Sequence, residues 1–128
     1  MNDLISQELR RFILTSIPSV PYLEALLLLR DEPDSAWSSA RLAARLYLSE
    51  KGATALLAEL TSFQIVDSSP VLPTEFHYRP QTEELRKIID ELAAAYSKHL
   101  MEVTHLIHSK IDRKAHQFAD AFKLRKDS

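Results

Sequence analysis

The stretch Leu42–Val66, LAARLYLSEKGATALLAELTSFQIV, decides how the rest of the chain is read. Leu42, Ala43 and Leu46 share one face of a helix predicted over Ser39–Tyr47, with Ser38 as its N-cap. A short break follows. Ser49 then caps a second helix, Glu50–Phe63, with Glu50 in the first turn, where the helix dipole favours an acid. Ala53, Leu56, Leu57 and Leu60 form its apolar stripe. Gly52 within it costs about 1 kcal/mol relative to Ala. Gln64–Ser68 alternates as a strand.

Downstream, Ser68-Ser69-Pro70-Val71-Leu72-Pro73 reads as a turn and Glu75–Arg79 as a returning strand. Upstream, Ser19 caps a helix Tyr22–Arg30 with Pro21 in its first turn. Leucines on nearly every side of that helix predict burial. Pro33 makes a loop of 31–34, and Ala36-Trp37-Ser38 reads as a short strand. Leu4, Ile5, Leu9, Phe12 and Ile13 predict an amphipathic helix over 3–14.

Thr82 caps a further helix, with Glu83 and Glu84 in its first turn. Leu85, Ile88, Ile89, Leu92, Tyr96, Leu100, Val103, Leu106 and Ile107 form a seam at steps of three and four. One continuous helix from Glu83 to Ser109 is about 40 Å long at 1.5 Å per residue. It outruns a body with a radius of gyration near about 14 Å. Its far end therefore needs a second apolar surface, from the N-terminal helix of the same chain or of a second chain, and a homodimer is expected. The tail Lys110–Lys126 continues as a basic amphipathic segment with Ile111, Ala115, Phe118, Ala119 and Phe122 at helical spacing. Packing on its own protein is the ordinary reading of such a tail; DNA phosphates, an acidic partner or a membrane surface are alternatives.

The chain has 128 residues, 45% hydrophobic and 27% charged, the make-up of one folded domain. The expected division is 1–81 for the helix-and-hairpin domain and 82–128 for the C-terminal helix and tail. With a single Gly the chain can make few positive-φ turns, which favours helices. It has no Cys, so disulfides and thiolate metal sites are excluded. The longest apolar run, Ala25–Leu29, is far short of the roughly 20 residues of a membrane span. The N-terminus lacks signal-peptide features, so cytoplasmic residence is expected. Net charge is −2, unevenly spread. Residues 17–81 carry five basic and eight acidic side chains; 109–128 carry six basic and three acidic.

Val20–Arg79 resembles the winged helix-turn-helix of bacterial transcriptional regulators of the MarR and ArsR kind. The resemblance implies an α+β, mostly α fold: a winged helix-turn-helix with a long C-terminal helix. It implies double-stranded DNA as partner, with the second helix in the major groove. Lys51 and Thr54 then approach bases, while Arg41, Arg45 and Arg79 hold phosphates. Two positions depart from the family: Tyr47 and Gln64 stand where Gly is frequent. The wing Ser68–Phe76 has no Lys or Arg and contains Glu75. So few cations, opposed by acids, imply weak and salt-sensitive binding. A protein-docking adaptor that does not bind DNA is the alternative, because fold does not fix function.

Glu102-x-x-His105-x-x-His108 has a spacing used by helical metal sites, but a single copy without facing carboxylates reads as helix surface. No metal or other cofactor is expected. One Gly precludes a phosphate-binding glycine loop and no nucleophile motif appears, so an enzyme is not expected.

Overall fold

The computed structural model describes residues 5–127. It is mostly helical with a small antiparallel sheet. The order is α1 (Gln7–Ser16), α2 (Val20–Asp31), α3 (Ser39–Leu46), α4 (Glu50–Ser62), β1 (Val66–Ser68), β2 (Phe76–Tyr78), α5 (Glu83–Lys98) and α6 (Leu100–Asp127). The expected Leu4 position lies outside the described residues.

Local chemistry sets most of these boundaries. The side chains of Ser6, Ser19, Ser38, Ser49 and Thr82 each accept a backbone N–H three residues on, at 3.0–3.2 Å. Gly52 is the residue that donates to Ser49, and a Cβ there would stand 3.1 Å from the Ser49 hydroxyl. The glycine thus sits where the cap is crowded.

Val66, Asp67 and Ser68 pair antiparallel with Tyr78, His77 and Phe76. The expected strand at 36–38 is a single bridge, in which Trp37 and Phe76 exchange both backbone hydrogen bonds at 2.8 and 2.7 Å. Beyond the hairpin, the Arg79 and Gln81 amides donate to the carbonyls of Ile65 and Gln64.

Two joints use left-handed backbone without glycine. Tyr47, after α3, has φ 57°, and Gln64, after α4, has φ 64°. These are the two positions where the resemblance leads one to expect Gly. An L-residue in this conformation costs roughly 1–2 kcal/mol.

The continuous helix expected over 83–109 is interrupted. His99, at φ −132° and ψ 50°, ends α5 through its amide bond to the Ala95 carbonyl, and its own carbonyl accepts from Val103 to begin α6. Neither Gly nor Pro causes this break. α1 packs against both α5 and α6, and Ile89, Leu92, Val103 and Ile107 are buried in the same core as Leu9, Ile13 and Ile17 of α1 and its end. Each such burial contributes about 1.5–3 kcal/mol, which outweighs the interrupted helix bonds. Most of the seam is therefore covered within one chain: α1 supplies one of the two surfaces expected for it, while Leu100 stays half-exposed. The expected basic tail is the continuation of α6. Ile111 and Ala119 on it are exposed, and the expected apolar positions Ala115, Phe118 and Phe122 lie outside the described side chains.

No single helix among the described residues is long and apolar enough to cross a membrane.

Relief of left-handed strain is measurable. The Gln64 side chain is exposed and its bonds run through the backbone, so Gln64→Gly keeps every contact of the turn. We expect a stabilisation of about 0.5–1 kcal/mol, the conformational cost removed less the added chain entropy of glycine. A raised urea midpoint at unchanged slope is the readout; a lower midpoint contradicts this account.

Candidate nucleic-acid interface

The residues expected to contact DNA lie on α3, on α4 and just past β2. α3 packs against α4 across a turn of left-handed Tyr47, then Leu48 and Ser49. Leu42 and Ala43 of α3 and Ala53, Leu56, Leu57 and Leu60 of α4 point into the core. This leaves Glu50, Lys51, Thr54, Ala55 and Ala58 exposed on α4.

Of the five expected contacts, two are free. Lys51 and Arg79 are exposed, and their side chains make no hydrogen bond or ion pair among the described residues. The other three are engaged within the chain. Thr54 bonds through its hydroxyl to the Ser39 hydroxyl at 2.8 Å and the Glu50 carbonyl at 2.9 Å, stitching α4 to the start of α3. Arg41 donates to the Ala36 carbonyl at 2.8 Å and to Glu32 Oε1 at 3.0 Å, and its guanidinium lies 3.9 Å from the centre of the Trp37 ring. Arg45 donates to Glu32 Oε2 at 3.0 Å and lies 5.6 Å from the same ring. One carboxylate thus holds both α3 arginines, and neither stands ready for a phosphate as the sequence led us to expect.

Sequence reasoning missed Glu32 as the partner. It precedes Arg41 by nine residues and Arg45 by thirteen, separations that no helical or strand periodicity connects. It also missed the apolar rim. Tyr47 is 95% exposed at the inter-helix turn and Val71 is 85% exposed at the hairpin tip, beside half-exposed Leu72. Ser69 shapes that tip by accepting the Val71 amide at 3.2 Å.

Elsewhere, Glu102, His105 and His108 are all exposed on α6. Among the described residues no group of three such side chains is placed to hold a metal ion.

Compared with known protein families, curated proteins and solved structures, the chain matches none.

The hydrogen bond from Arg45 holds the Glu32 carboxyl below its ordinary pKa; the charges of Arg45 and Arg41 and the Arg41 hydrogen bond add to this, and desolvation opposes it. The folded chain therefore keeps Glu32 ionised where the unfolded chain takes up a proton. Its contribution to stability is full above the ordinary carboxylate range, near about pH 4, and fades as pH falls through the lowered folded value. We expect Glu32→Gln to be less stable than the parent at pH 7, with the gap in urea midpoint closing below about pH 4. A gap independent of pH contradicts the clamp.

Proposed function

We propose that Val20–Arg79 is a winged helix-turn-helix and that the protein is a transcriptional regulator binding duplex DNA weakly through α4. The observation that carries this reading is the joint arrangement: α2, the Trp37 bridge, α3, a left-handed turn, α4, a second left-handed joint and the β1–β2 hairpin. Both joints fall where such motifs commonly use glycine. The order and the joints together are more specific than helix count alone.

In this reading α4 enters the major groove. Its outward side chains are short, so its backbone approaches the base edges closely. Lys51 reaches guanine acceptors or a phosphate, and Ala55 and Ala58 offer methyl groups to thymine. Arg79 holds the backbone at the flank. Lys51 and Arg79 together contribute a salt slope of about two from this contact, because each neutralised phosphate contributes about 0.9. Arg41 and Arg45 join only when a phosphate displaces Glu32.

A second reading has its own observation. Tyr47, Val71 and Leu72 are exposed apolar side chains at the turn and the hairpin tip, while Glu32 neutralises the α3 arginines. That surface suits docking on a protein without DNA contact.

Titration of a labelled mixed-sequence duplex between roughly 50 and 200 mM salt separates the two. On the DNA reading Lys51→Ala weakens binding and lowers the salt slope by about one, whereas Glu32→Gln strengthens binding and raises the slope by up to about two. A parent protein that leaves the duplex unretarded at the lowest salt sinks the DNA reading. A Lys51→Ala variant identical to the parent removes α4 from it.

A further inference from the structure

The helical arginines fall into two groups. Each arginine on α2, α3 and α5 meets a carboxylate: Arg30 meets Asp31 and Asp90, Arg41 and Arg45 meet Glu32, and Arg86 meets Glu83 at 4.0 Å. Arg10 and Arg11 of α1 and Arg113 of α6 meet none among the described residues, although the chain as a whole is acidic. All three are exposed.

They share one surface. Leu14 and Thr15 of α1 line a shallow groove with Lys110, Arg113 and Gln117 of α6. The same Leu14 and Thr15 continue into an adjoining groove with Ile5, Gln7, Arg10 and Arg11. Among the described residues no acidic side chain lines either groove. Lys110 fastens the two helices by donating to the Ile17 carbonyl at 3.4 Å, which fixes the cations of α6 relative to those of α1. Arg10, Arg11 and Arg113 meet no acid among the described residues, and holding such like charges on one surface is unfavourable for the isolated chain, by Coulomb repulsion. An arriving polyanion relieves that repulsion.

We infer that the α1–α6 groove is a second binding surface, separate from α4, for the sugar–phosphate backbone of duplex nucleic acid. The inference rests on the reading of the protein as a DNA binder and adds a contact which that reading does not contain. Arg10, Arg11 and Arg113 are arginines, whose planar forks bind phosphate oxygens in pairs. DNA presents one charge per about 1.7 Å, dense enough to meet several cations on two helices at once. A membrane surface suits it less: Leu100 and Ile111 of α6 are half-exposed, but Thr104 and His108 lie between them at helical spacing, so they form no continuous apolar stripe for insertion.

The test uses the full chain and the same labelled duplex. Arg10→Ala, Arg11→Ala and Arg113→Ala are combined, with a triple Gln version as a second variant, and folding is checked by circular dichroism. We expect at least a tenfold loss of affinity at low salt and a fall in salt slope of about two to three. Unchanged affinity and slope in both triple variants overturn the inference. If Lys51→Ala removes binding while the triple variants keep it, this surface fails and the α4 reading stands. If the triple variants lose binding while Lys51→Ala does not, this surface stands and α4 is not the contact. A parent that binds no duplex overturns both. Poly-glutamate, or phosphatidylglycerol–phosphatidylcholine vesicles, binding as tightly as duplex also overturns the assignment to nucleic acid.

Discussion

Trp37 is the point on which the first half of the structure turns. Its indole is fully buried, and its backbone pairs with Phe76 in both directions. A buried aromatic of this size removes about 150–250 Å² from water, worth roughly 4–6 kcal/mol as an upper bound. The Trp37 backbone ties the α2–α3 loop to the hairpin. Arg41 then closes it from outside, stacked at 3.9 Å while its fork binds the Ala36 carbonyl and Glu32. A guanidinium suits this position because it is planar and weakly hydrated, so it lies on a ring face while still donating in its own plane. The arginine that looks like a phosphate ligand in sequence is therefore also part of the lid over the core. The chemistry that makes Arg41 useful to the fold is the same chemistry that DNA would use, and Glu32 is the competitor for it.

The features legible in the sequence are those decided within three or four residues. Ser19, Ser38, Ser49 and Thr82 cap helices through bonds spanning three positions, so a cap residue before an apolar stripe is enough to find them. The left-handed joints at Tyr47 and Gln64 are not legible: the apolar pattern runs Tyr47 into its helix and Gln64 into its strand, and the resemblance marks them only as departures where Gly is frequent. The break at His99 was not visible, because nothing local demands it: the apolar steps run straight through, and no proline or glycine interrupts them. The break follows from α1 packing on both α5 and α6, a tertiary demand overriding helix propagation. The site was the least legible part. A count of charges treats Arg41, Arg45, Lys51 and Arg79 as equal, and only three-dimensional placement divides the pair held by Glu32 from the pair left free.

That division gives the molecule two unlike surfaces. On the side of α3 and α4 the arginines are neutralised, and small or apolar groups face outward. On α1 and α6, Arg10, Arg11 and Arg113 meet no carboxylate among the described residues. Low overall charge conceals this, since the −2 of the whole chain combines eight basic and thirteen acidic side chains over 17–108 with six basic and three acidic over 109–128. A polyanion responds to local potential within a Debye length, about 8–10 Å at physiological salt, rather than to the net charge of the whole chain.

Tyr47 shows where folding stops dictating the sequence. Its backbone is required: the Tyr47 and Leu48 amides both donate to the Ala43 carbonyl, and the left-handed conformation lets α4 start at the angle it does. Its ring is not required, being 95% exposed and touching no other aromatic ring. Glycine would satisfy the same bonds without the roughly 1–2 kcal/mol steric cost of a left-handed L-residue. A large aromatic held in solvent by a strained turn brings the fold no packing gain to offset that cost. Strain of this kind, found at an exposed joint between the two helices of the candidate interface, directs attention to what the ring touches outside the chain. On the DNA reading it is a stacking or hydroxyl contact at the groove edge. On the docking reading it is an anchor for a partner's pocket. Both readings converge on the same turn, which makes Tyr47 a more discriminating probe of this surface than the arginines that first suggested it.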